Sequence, residues 1–327
     1  MSRLREIADP FLLLLIAMVA LASFLPARGE GAHIVGIGAD AGIVLLFFLH
    51  GAKLSRDAIW SGAKAWKLHL ATLGTTFALF PLIGLATQQV EGIPAPMRAG
   101  LLFLTLLPST VQSSIAFTSI ARGNVAAAVV SASFSNLLGI VLTPLLVALL
   151  MQKSVGGGTG SLISLSAVEG IVLQLLLPFL LGHLARPWIG GFVERHRAML
   201  GRVDRGSILL IVYSAFSAAV VEGLWHKVSR GELLLLALLS IAILIVVLLF
   251  TWGLGRVLGL SREDAVVLQF CGSKKSLATG VPIAGVLFPA SAAGPILLPV
   301  MLFHQIQLMV CAGLARRYGK VENEIAK

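Results

Sequence analysis

Charged side chains are scarce in this 327-residue chain, because Asp, Glu, Lys and Arg together make up only 12% of it. A soluble domain has about 25% of such residues, and here the shortage continues from end to end, between recurring long apolar runs. These features exclude a soluble domain, with or without a single membrane anchor. Runs such as 241–249 also lack the alternation of polar and apolar residues that a membrane β-barrel requires. The composition therefore predicts an all-α, polytopic membrane protein.

Cysteine is almost absent, and metal-binding patterns are missing. The two cysteines, Cys271 and Cys311, both lie in apolar segments, which excludes a disulfide framework. No pair of cysteines or histidines has the spacing of a metal site. We therefore expect no metal and no other cofactor, apart from H+ or Na+ as a coupling ion.

Lysine and arginine are unevenly distributed between the apolar segments. With the N-terminus in the cytoplasm, most of them fall on the cytoplasmic side, as the positive-inside rule predicts for an inner-membrane protein with both termini cytoplasmic. This distribution explains the net charge of +10 without nucleic acid as a partner, and it leaves membrane lipids as expected partners. The predicted spans are 10–26, 34–52, 66–87, 97–121, 124–151, 163–185, 206–222, 232–256, 263–288 and 293–315.

The ten transmembrane helices divide into two halves of five. A glycine-rich linker at 152–161 follows the fifth span, and glycine runs are typical of flexible connectors. Residues 112–116 (QSSIA) are similar to residues 274–278 (KKSLA) in the other half. Because five is odd, a second half with the same helix order inserts in the opposite orientation, which is the common plan of secondary transporters. The sequence thus predicts two inverted five-helix repeats, at 1–155 and 156–327.

The fourth and ninth spans are both interrupted by residues that break helices. Span four contains Pro108 among hydroxyl and amide side chains, and span nine contains Gly272, Gly280 and Pro282. Proline removes an amide donor, glycine permits unwinding, and irregular backbone at membrane depth is tolerated only inside protein or beside a wet cavity. Matching interruptions in the two halves indicate a transport site. The alternative is an ordinary proline kink, with serines hydrogen-bonded back to the helix.

Two adjacent lysines, Lys274 and Lys275, lie in the middle of span nine. An ionisable side chain at membrane depth costs roughly 2.5–3.5 kcal/mol on insertion scales. Such residues are retained where they face a polar cavity or have a function. A pair of positive charges at an interrupted helix predicts a site that attracts anions, or one that carries its own charge in place of a bound cation.

At these two segments the chain resembles the bile acid:sodium symporter family, solute carrier family 10, and especially its divergent sodium-bile-acid-symporter-like branch. The resemblance covers nearly the whole chain and rests on 108–114 (PSTVQSS), 121–124 (ARGN) and 270–277 (FCGSKKSL). It implies ten helices in two inverted repeats, with the broken helices four and nine crossing. It also implies a core of spans 3–5 and 8–10, a panel of spans 1, 2, 6 and 7, and a substrate between core and panel.

The resemblance also implies positions for sodium ligands in the fourth and fifth spans. Ser113 and Ser114 stand where the family has a serine and an asparagine, so the serine is kept and the asparagine is changed. Ala128 and Ala132 stand where the family has hydroxyl side chains, and neither carries a side-chain oxygen. The set of oxygen ligands is therefore largely lost in these two spans.

Span nine departs furthest from the family. Phe270 stands at the position of a glutamate, and Lys274 and Lys275 replace a Gln-Asn pair. We predict that a lysine ammonium replaces the bound cation, and that Lys275 is the more important of the two lysines. The ammonium is either a fixed charge or a carrier that releases its proton, since burial disfavours the charged form. Transport is then Na+-independent or H+-coupled.

The leading hypothesis is a secondary active transporter that moves a small organic anion by alternating access and is not an enzyme. Three alternatives remain open. One is a Na+-coupled symporter of bile-acid-like anions, and another is a regulatory membrane protein that does not transport. The third is an intramembrane hydrolase in which Ser273 or Ser276 is the nucleophile and a lysine is the base.

The candidate substrate and ion site combines polar side chains of the two interrupted spans with a few neighbours. Gln112, Ser113 and Ser114 are expected to hydrogen-bond the ammonium across the crossing, and Glu169 is the best acidic partner for Lys275. Gln305 and Gln307 on span ten point to different faces, so at most one lines the site. We expect Gln305 to be that residue. The complete set is Ser109, Thr110, Gln112, Ser113, Ser114, Asn124, Glu169, Ser273, Lys274, Lys275, Ser276 and Gln305.

Overall fold

The computed structural model describes residues 10–53, 65–151, 170–226 and 228–325, and in these ranges the regular structure is helical, without a strand. A π-helical turn at Thr75–Leu79 joins the helix Trp66–Gly74 to the helix Phe80–Thr87, and a second one at Ile171–Leu176 precedes the helix Leu177–Arg195. The helices are α1 (Pro10–Phe24), α2 (Gly29–Lys53), α3 (Trp66–Gly74), α4 (Phe80–Thr87), α5 (Ala95–Leu106), α6 (Gln112–Ile120), α7 (Val125–Leu150), α8 (Leu177–Arg195), α9 (Arg197–Val221), α10 (Arg230–Val257), α11 (Arg262–Gly272), α12 (Leu277–Leu287) and α13 (Ala290–Ile325).

In the described part of the chain, 7 helical stretches are long and apolar enough to cross a membrane. The prediction of a polytopic helical membrane protein is therefore confirmed. The remaining predicted spans correspond to shorter helices, namely α1 and the two pairs α5–α6 and α11–α12. The 7 stretches are Gly29–Lys53, Trp66–Thr87, Val125–Leu150, Val172–Arg195, Arg197–Val221, Arg230–Val257 and Ala290–Lys320.

Both predicted interruptions are breaks in the helical backbone and not simple kinks. Leu107, directly after α5, is extended with φ −74° and ψ 154°. Ser276, directly before α12, has φ −83° and ψ 109°. The alternative of an ordinary proline kink is therefore wrong at these two places, although Pro282 is accommodated inside α12.

Several helices are longer than their apolar segments. The sixth span was predicted to end at 185, but α8 continues to Arg195, and α9 begins at Arg197 and not at 206. The last helix likewise continues from the predicted end at 315 to Ile325. The apolar pattern marks the part of a helix that lies in hydrocarbon, and helices extend past it into water. The glycine-rich linker lies in 152–169, outside the described residues.

The helices pack in two groups. In one group, which we call the outer group, α2 packs against α8 and α9, and α1 packs against α9. In the other, which we call the break group, α5 packs against α4 and α13, α10 packs against α11 and α13, and α12 packs against α13. The groups meet where α9 contacts α12 and α13. Both interruptions lie in the break group.

One side of α10 exposes a stripe of large apolar side chains. Leu234, Leu238, Ile241, Ile245 and Leu249 recur every three or four residues and are between 39% and 63% exposed. Residues at this spacing share one helix face. A continuous apolar face of this kind is unfavourable in water and suits contact with lipid, so it agrees with the membrane assignment.

Candidate functional site

Pro108 ends α5 and opens the first break. Its ring disfavours helical geometry in the residue before it, and it has no amide to donate to the helix. Carbonyl groups at the end of α5 consequently lose their helical partners and become available to other groups. One of them, the carbonyl of Leu106, accepts a 2.8 Å hydrogen bond from the Thr143 hydroxyl of α7.

The ammonium group of Lys275 lies among three backbone carbonyl oxygens. Its Nζ donates to Thr105 and Leu107 at the end of α5, at 2.8 and 2.7 Å, and to Thr76 in the π-helical turn, at 2.8 Å. The residue is 1% exposed, and the centroid of the Phe80 ring is 4.1 Å from Nζ. An ammonium has three N–H donors, so all three are satisfied. The oxygens surround it in the way that carbonyls surround a bound monovalent cation.

The carbonyl of Thr76 is available because the helix is locally in π register. The amide of Phe80 donates to Thr75 and not to Thr76. The next residue, Pro81, has no amide. Thr76 is thereby released from the helical ladder, as happens at π-helical turns near functional sites. Sequence analysis missed this oxygen, and the proline within an apolar span is the signal that could have found it.

The backbone of Lys275 is held by Gln307 and not by the predicted Gln305. The amide of Lys275 donates to Gln307 Oε1 at 2.8 Å, and Gln307 Nε2 donates to the carbonyl of Lys275 at 2.9 Å. Gln307 is fully buried, and its Nε2 also lies 2.9 Å from Nδ1 of His304. Within the described ranges the buried Oε1 of Gln305 has no hydrogen-bond partner. The glutamine that supports the site is therefore two residues further along α13.

Lys274 is as deeply buried as its neighbour but is held differently. Its Nζ donates one hydrogen bond, to Ser113 Oγ of α6 at 3.2 Å. The centroid of the Phe117 ring is 4.3 Å from Nζ, and that of Phe270 is 5.8 Å away. A cation over an aromatic face is stabilised by roughly 0.5–2 kcal/mol. Two rings and a hydroxyl thus surround the ammonium of Lys274, whereas three carbonyl oxygens, the carbonyl shell, surround that of Lys275.

The two breaks contact each other directly. Ser109 Oγ donates to the carbonyl of Cys271 at 2.5 Å, and Ser114 Oγ donates to the carbonyl of Phe270 at 3.1 Å. In the reverse direction, the amide of Ser276 donates to the carbonyl of Pro108 at 2.8 Å. Each break therefore satisfies polar backbone groups of the other, which is necessary where water is excluded.

Asn136 of α7 connects both breaks, and sequence analysis missed it. Its Nδ2 donates to the carbonyl of Ser109 at 2.6 Å, and its Oδ1 accepts from Thr279 Oγ1 at 2.8 Å. The Thr279 hydroxyl is also 2.9 Å from Ser276 Oγ, which caps α12. An amide side chain inside an apolar span is the signal that could have indicated this role.

Three of the predicted site residues contact groups other than the lysine ammoniums or lie at the surface. Thr110 Oγ1 is 2.9 Å from Ser113 Oγ in the first turn of α6. Gln112 begins α6 and is exposed. Ser273 Oγ donates back to the carbonyl of Gln269 at 2.5 Å. Ser273 thus bonds the backbone and Ser276 caps a helix, whereas the hydrolase alternative requires one of these hydroxyls to contact a lysine ammonium.

Two further predicted residues lie away from the lysines or outside the described ranges. Asn124 caps α7 by accepting from the amide of Ala127 at 3.0 Å, and its Nδ2 donates to Asp264 of α11 at 2.9 Å. Its contacts are therefore those of a helix cap that links two helices. Glu169, the predicted acidic partner of Lys275, lies outside the described residues.

Three positions at which the resemblance implies sodium ligands hold buried apolar residues. Ala128, Ala132 and Phe270 are all fully buried. The Phe270 ring lies 5.9 Å from that of Phe117 and 6.2 Å from that of Tyr318, between centroids. Among the residues that the structure describes, no group of three or more His, Cys, Asp or Glu side chains could hold a metal ion.

Comparison with known proteins gives concordant matches over almost the full length. A family model described as the SBF-like CPA transporter family matches residues 9–320. The chain is 55% identical to "Uncharacterized protein PA2026" of Pseudomonas aeruginosa, over 100% of this chain and 97% of that protein. It is 51% identical to "Putative symporter YfeH" of Escherichia coli, over 99% and 96% of the two chains. It is 27% identical to "Sodium/bile acid cotransporter 7" of Rattus norvegicus, over 82% and 79%.

Proposed function

Since the chain belongs to the SBF-like CPA transporter family, we propose that it moves a small organic anion across the membrane by alternating access, with lysine charge in place of a bound cation. The family membership confirms the resemblance that the interrupted segments indicated. The protein is a multi-pass membrane protein of a transporter family. The substrate class, the coupling ion and the role of the two lysines belong to the proposal.

The proposed architecture is ten spans in two inverted repeats. In this reading, α5–α6 and α11–α12 each form one interrupted span. Helix starts support it, because α6 and α12 begin at residues 112 and 277, and α7 and α13 begin at residues 125 and 290. α12 thus begins 165 residues after α6 (277 − 112), and α13 begins 165 residues after α7 (290 − 125). The outer group then corresponds to the panel and the break group to the core, with both termini on the cytoplasmic side of the inner membrane.

The observation that carries the proposal is the carbonyl shell around Lys275. Three backbone oxygens, two from the end of α5 and one from the π-helical turn, converge on one ammonium group. Such oxygens would otherwise attract a cation from solution, as half-helix ends do in secondary transporters. Here a covalently attached cation fills the shell. A transporter built in this way needs no sodium ion to neutralise the oxygens.

An anionic substrate follows from the charge of the site. Lys274 and Lys275 are both completely or almost completely buried, and the described residues that touch their ammonium groups are hydroxyls, carbonyls and aromatic rings. No carboxylate of the described ranges neutralises them. A carboxylate or sulfonate entering the site would gain from this uncompensated positive charge in a medium of low dielectric constant.

The test is transport by the purified chain in proteoliposomes. Vesicles are loaded with one of a panel of organic anions, including a bile acid because the rat relative is named for one, and uptake of the labelled anion is measured. We expect exchange with an internal anion, uptake that is unchanged when choline replaces Na+, and none in protein-free vesicles. A pH gradient then distinguishes a proton-coupled carrier from a fixed-charge one. A strict Na+ requirement would support the sodium symporter instead, and absence of exchange for every anion would favour a regulatory role.

A further inference from the structure

The two lysines differ in the number of N–H donors that are not used in hydrogen bonds to the described residues. All three N–H groups of the Lys275 ammonium are used by backbone carbonyls. The ammonium of Lys274 makes one hydrogen bond, to Ser113, and otherwise faces the rings of Phe117 and Phe270. An ammonium has three donors, so among the described residues two donors of Lys274 have no hydrogen-bond acceptor. Lys274 can therefore bind a further acceptor without giving up an existing one.

The residues that contact the Lys274 ammonium on α6 lie next to an exposed face of that helix. Gln112, Ala116 and Ser119 of α6 are exposed, and their spacing places them on one side of the helix. Ser113 and Phe117, which cover the ammonium, are half-buried beside that face. Glutamine and serine side chains are costly against lipid, so a face that exposes them at membrane depth suits a wet crevice.

The second half-helix is closed in comparison. In α12, Leu277 and all residues from Thr279 to Ala284 are buried. Gly285, on the same helix, lies against Ile43 of α2 and Ile211 of α9, close enough that an added Cβ would be 3.1 Å and 3.5 Å from them. The half-helix beside Lys274 therefore has an exposed polar face, whereas the corresponding residues of α12 are buried.

On this basis, and resting on the proposed function above, we propose that Lys274 is the residue that binds the anionic group of the substrate, a carboxylate or a sulfonate, and that Lys275 is a permanent structural charge. The substrate reaches Lys274 along the exposed face of α6. An oxygen of the anion accepts from one of the two remaining donors of Nζ, while Ser113 Oγ keeps its hydrogen bond from Nζ and its hydroxyl becomes a second donor to the same group. The titratable groups that face Lys274 are the buried thiols of Cys271 and Cys311, which leave its charge unpaired.

The experiment measures the charge that Lys274 presents to a reagent approaching along α6. Ser113→Cys introduces a thiol at the hydrogen-bond partner of Lys274, while both native cysteines are fully buried. The purified full-length protein is treated with a methanethiosulfonate that carries a sulfonate and, separately, with one that carries a trimethylammonium group. The readout is the ratio of the two rates, measured in Ser113→Cys alone and combined with Lys274→Met or Lys275→Met.

We expect Ser113→Cys to prefer the sulfonate reagent and Lys274→Met to lower that preference by roughly tenfold, as removal of a close unit charge predicts. Lys275→Met should change it much less. An unchanged ratio in Lys274→Met would overturn the proposal, and so would a thiol that neither reagent reaches. If the Lys275→Met protein does not fold, the comparison of Ser113→Cys alone with Ser113→Cys combined with Lys274→Met still tests the role of Lys274. A protein that transports no anion would fail the proposed function but leave this ratio measurable, so the two failures are distinguishable.

Discussion

The Nζ atom of Lys275 lies 2.8 Å from the carbonyl oxygen of Thr76, although the two residues are 199 positions apart in the chain. The contact joins the π-helical turn after α3 to the break before α12. Neither group has a partner within its own helix, since Pro81 and the π register release the carbonyl and the break places the lysine outside a helix. A donor and an acceptor from two irregular segments thus satisfy each other in the membrane interior.

Replacing Lys275 by methionine should lower the free energy of unfolding by roughly 2–4 kcal/mol, because three carbonyl oxygens lose their donor in a buried site. Replacing Lys274 by methionine removes one hydrogen bond and a ring contact, and should cost only about 1 kcal/mol. The measurement is chemical or thermal unfolding in detergent, followed by tryptophan fluorescence. Equal losses for the two variants would contradict the assignment of Lys275 as the structural charge.

A small cation should restore stability to Lys275→Ala. The substitution leaves the oxygens of Thr76, Thr105 and Leu107 around an unfilled volume, and ammonium, methylammonium or Na+ can occupy such a set. A ligand at 100 times its Kd stabilises by about 2.7 kcal/mol, which a rise in Tm detects. Choline chloride at the same ionic strength is the control, since choline is too large for the site. The interpretation fails if ammonium and choline have the same effect, or if ammonium stabilises the unsubstituted protein equally.

Pro81→Ala should weaken the contact between Lys275 and Thr76, because the new amide at position 81 competes for the released carbonyl. A double-mutant cycle with Lys275→Met should then give a coupling energy of about 1 kcal/mol in unfolding. Pro187→Ala is the matched control, since Pro187 lies inside α8 in the outer group. The effects of Pro187→Ala and Lys275→Met on the free energy of unfolding should be additive. If those of Pro81→Ala and Lys275→Met are additive as well, the π-helical turn does not stabilise the lysine.

The sequence predicts where the site lies better than it predicts which atoms form it. Pro108 and the two lysines are visible because a proline and two charges are costly within an apolar span. The oxygens of Thr76, Thr105 and Leu107 are not visible, because every residue has a carbonyl and only the backbone path decides which ones are free. The choice between Gln305 and Gln307 also needs the rotation of α13, which the apolar pattern of a helix buried on most sides does not define.

Asn136→Ala should destabilise the protein through both breaks at once. The substitution leaves the carbonyl of Ser109 and the hydroxyl of Thr279 without this partner, and two such losses amount to roughly 2–3 kcal/mol. Combined with Thr279→Val, the effects should be less than additive by about 1 kcal/mol, because the two changes remove the same hydrogen bond. Thr143→Val, which removes the separate bond to Leu106, should combine additively with Asn136→Ala. A coupling of the same size in both cycles would refute a specific bridge.

Gly182 of α8 and Gly51 of α2 allow these two helices of the outer group to approach closely. A Cβ at position 182 would overlap the carbonyl of Phe48, and one at position 51 would overlap the carbonyl of Phe179. Small residues at such contacts are the usual means by which membrane helices associate. Gly182→Ala should therefore separate α2 from α8 and lower the free energy of unfolding by roughly 1–3 kcal/mol.

Gly36→Ala is the matched control for that change, because no atom lies within 4 Å of a Cβ built at position 36 of α2. Alanine is favoured over glycine within a helix by roughly 0.5–1 kcal/mol, so this variant should be as stable as the unsubstituted protein or more stable. Unfolding in the same detergent measures both. If Gly182→Ala is also neutral, the close approach of α2 and α8 at this glycine does not contribute to stability, and the contact argued from it is refuted.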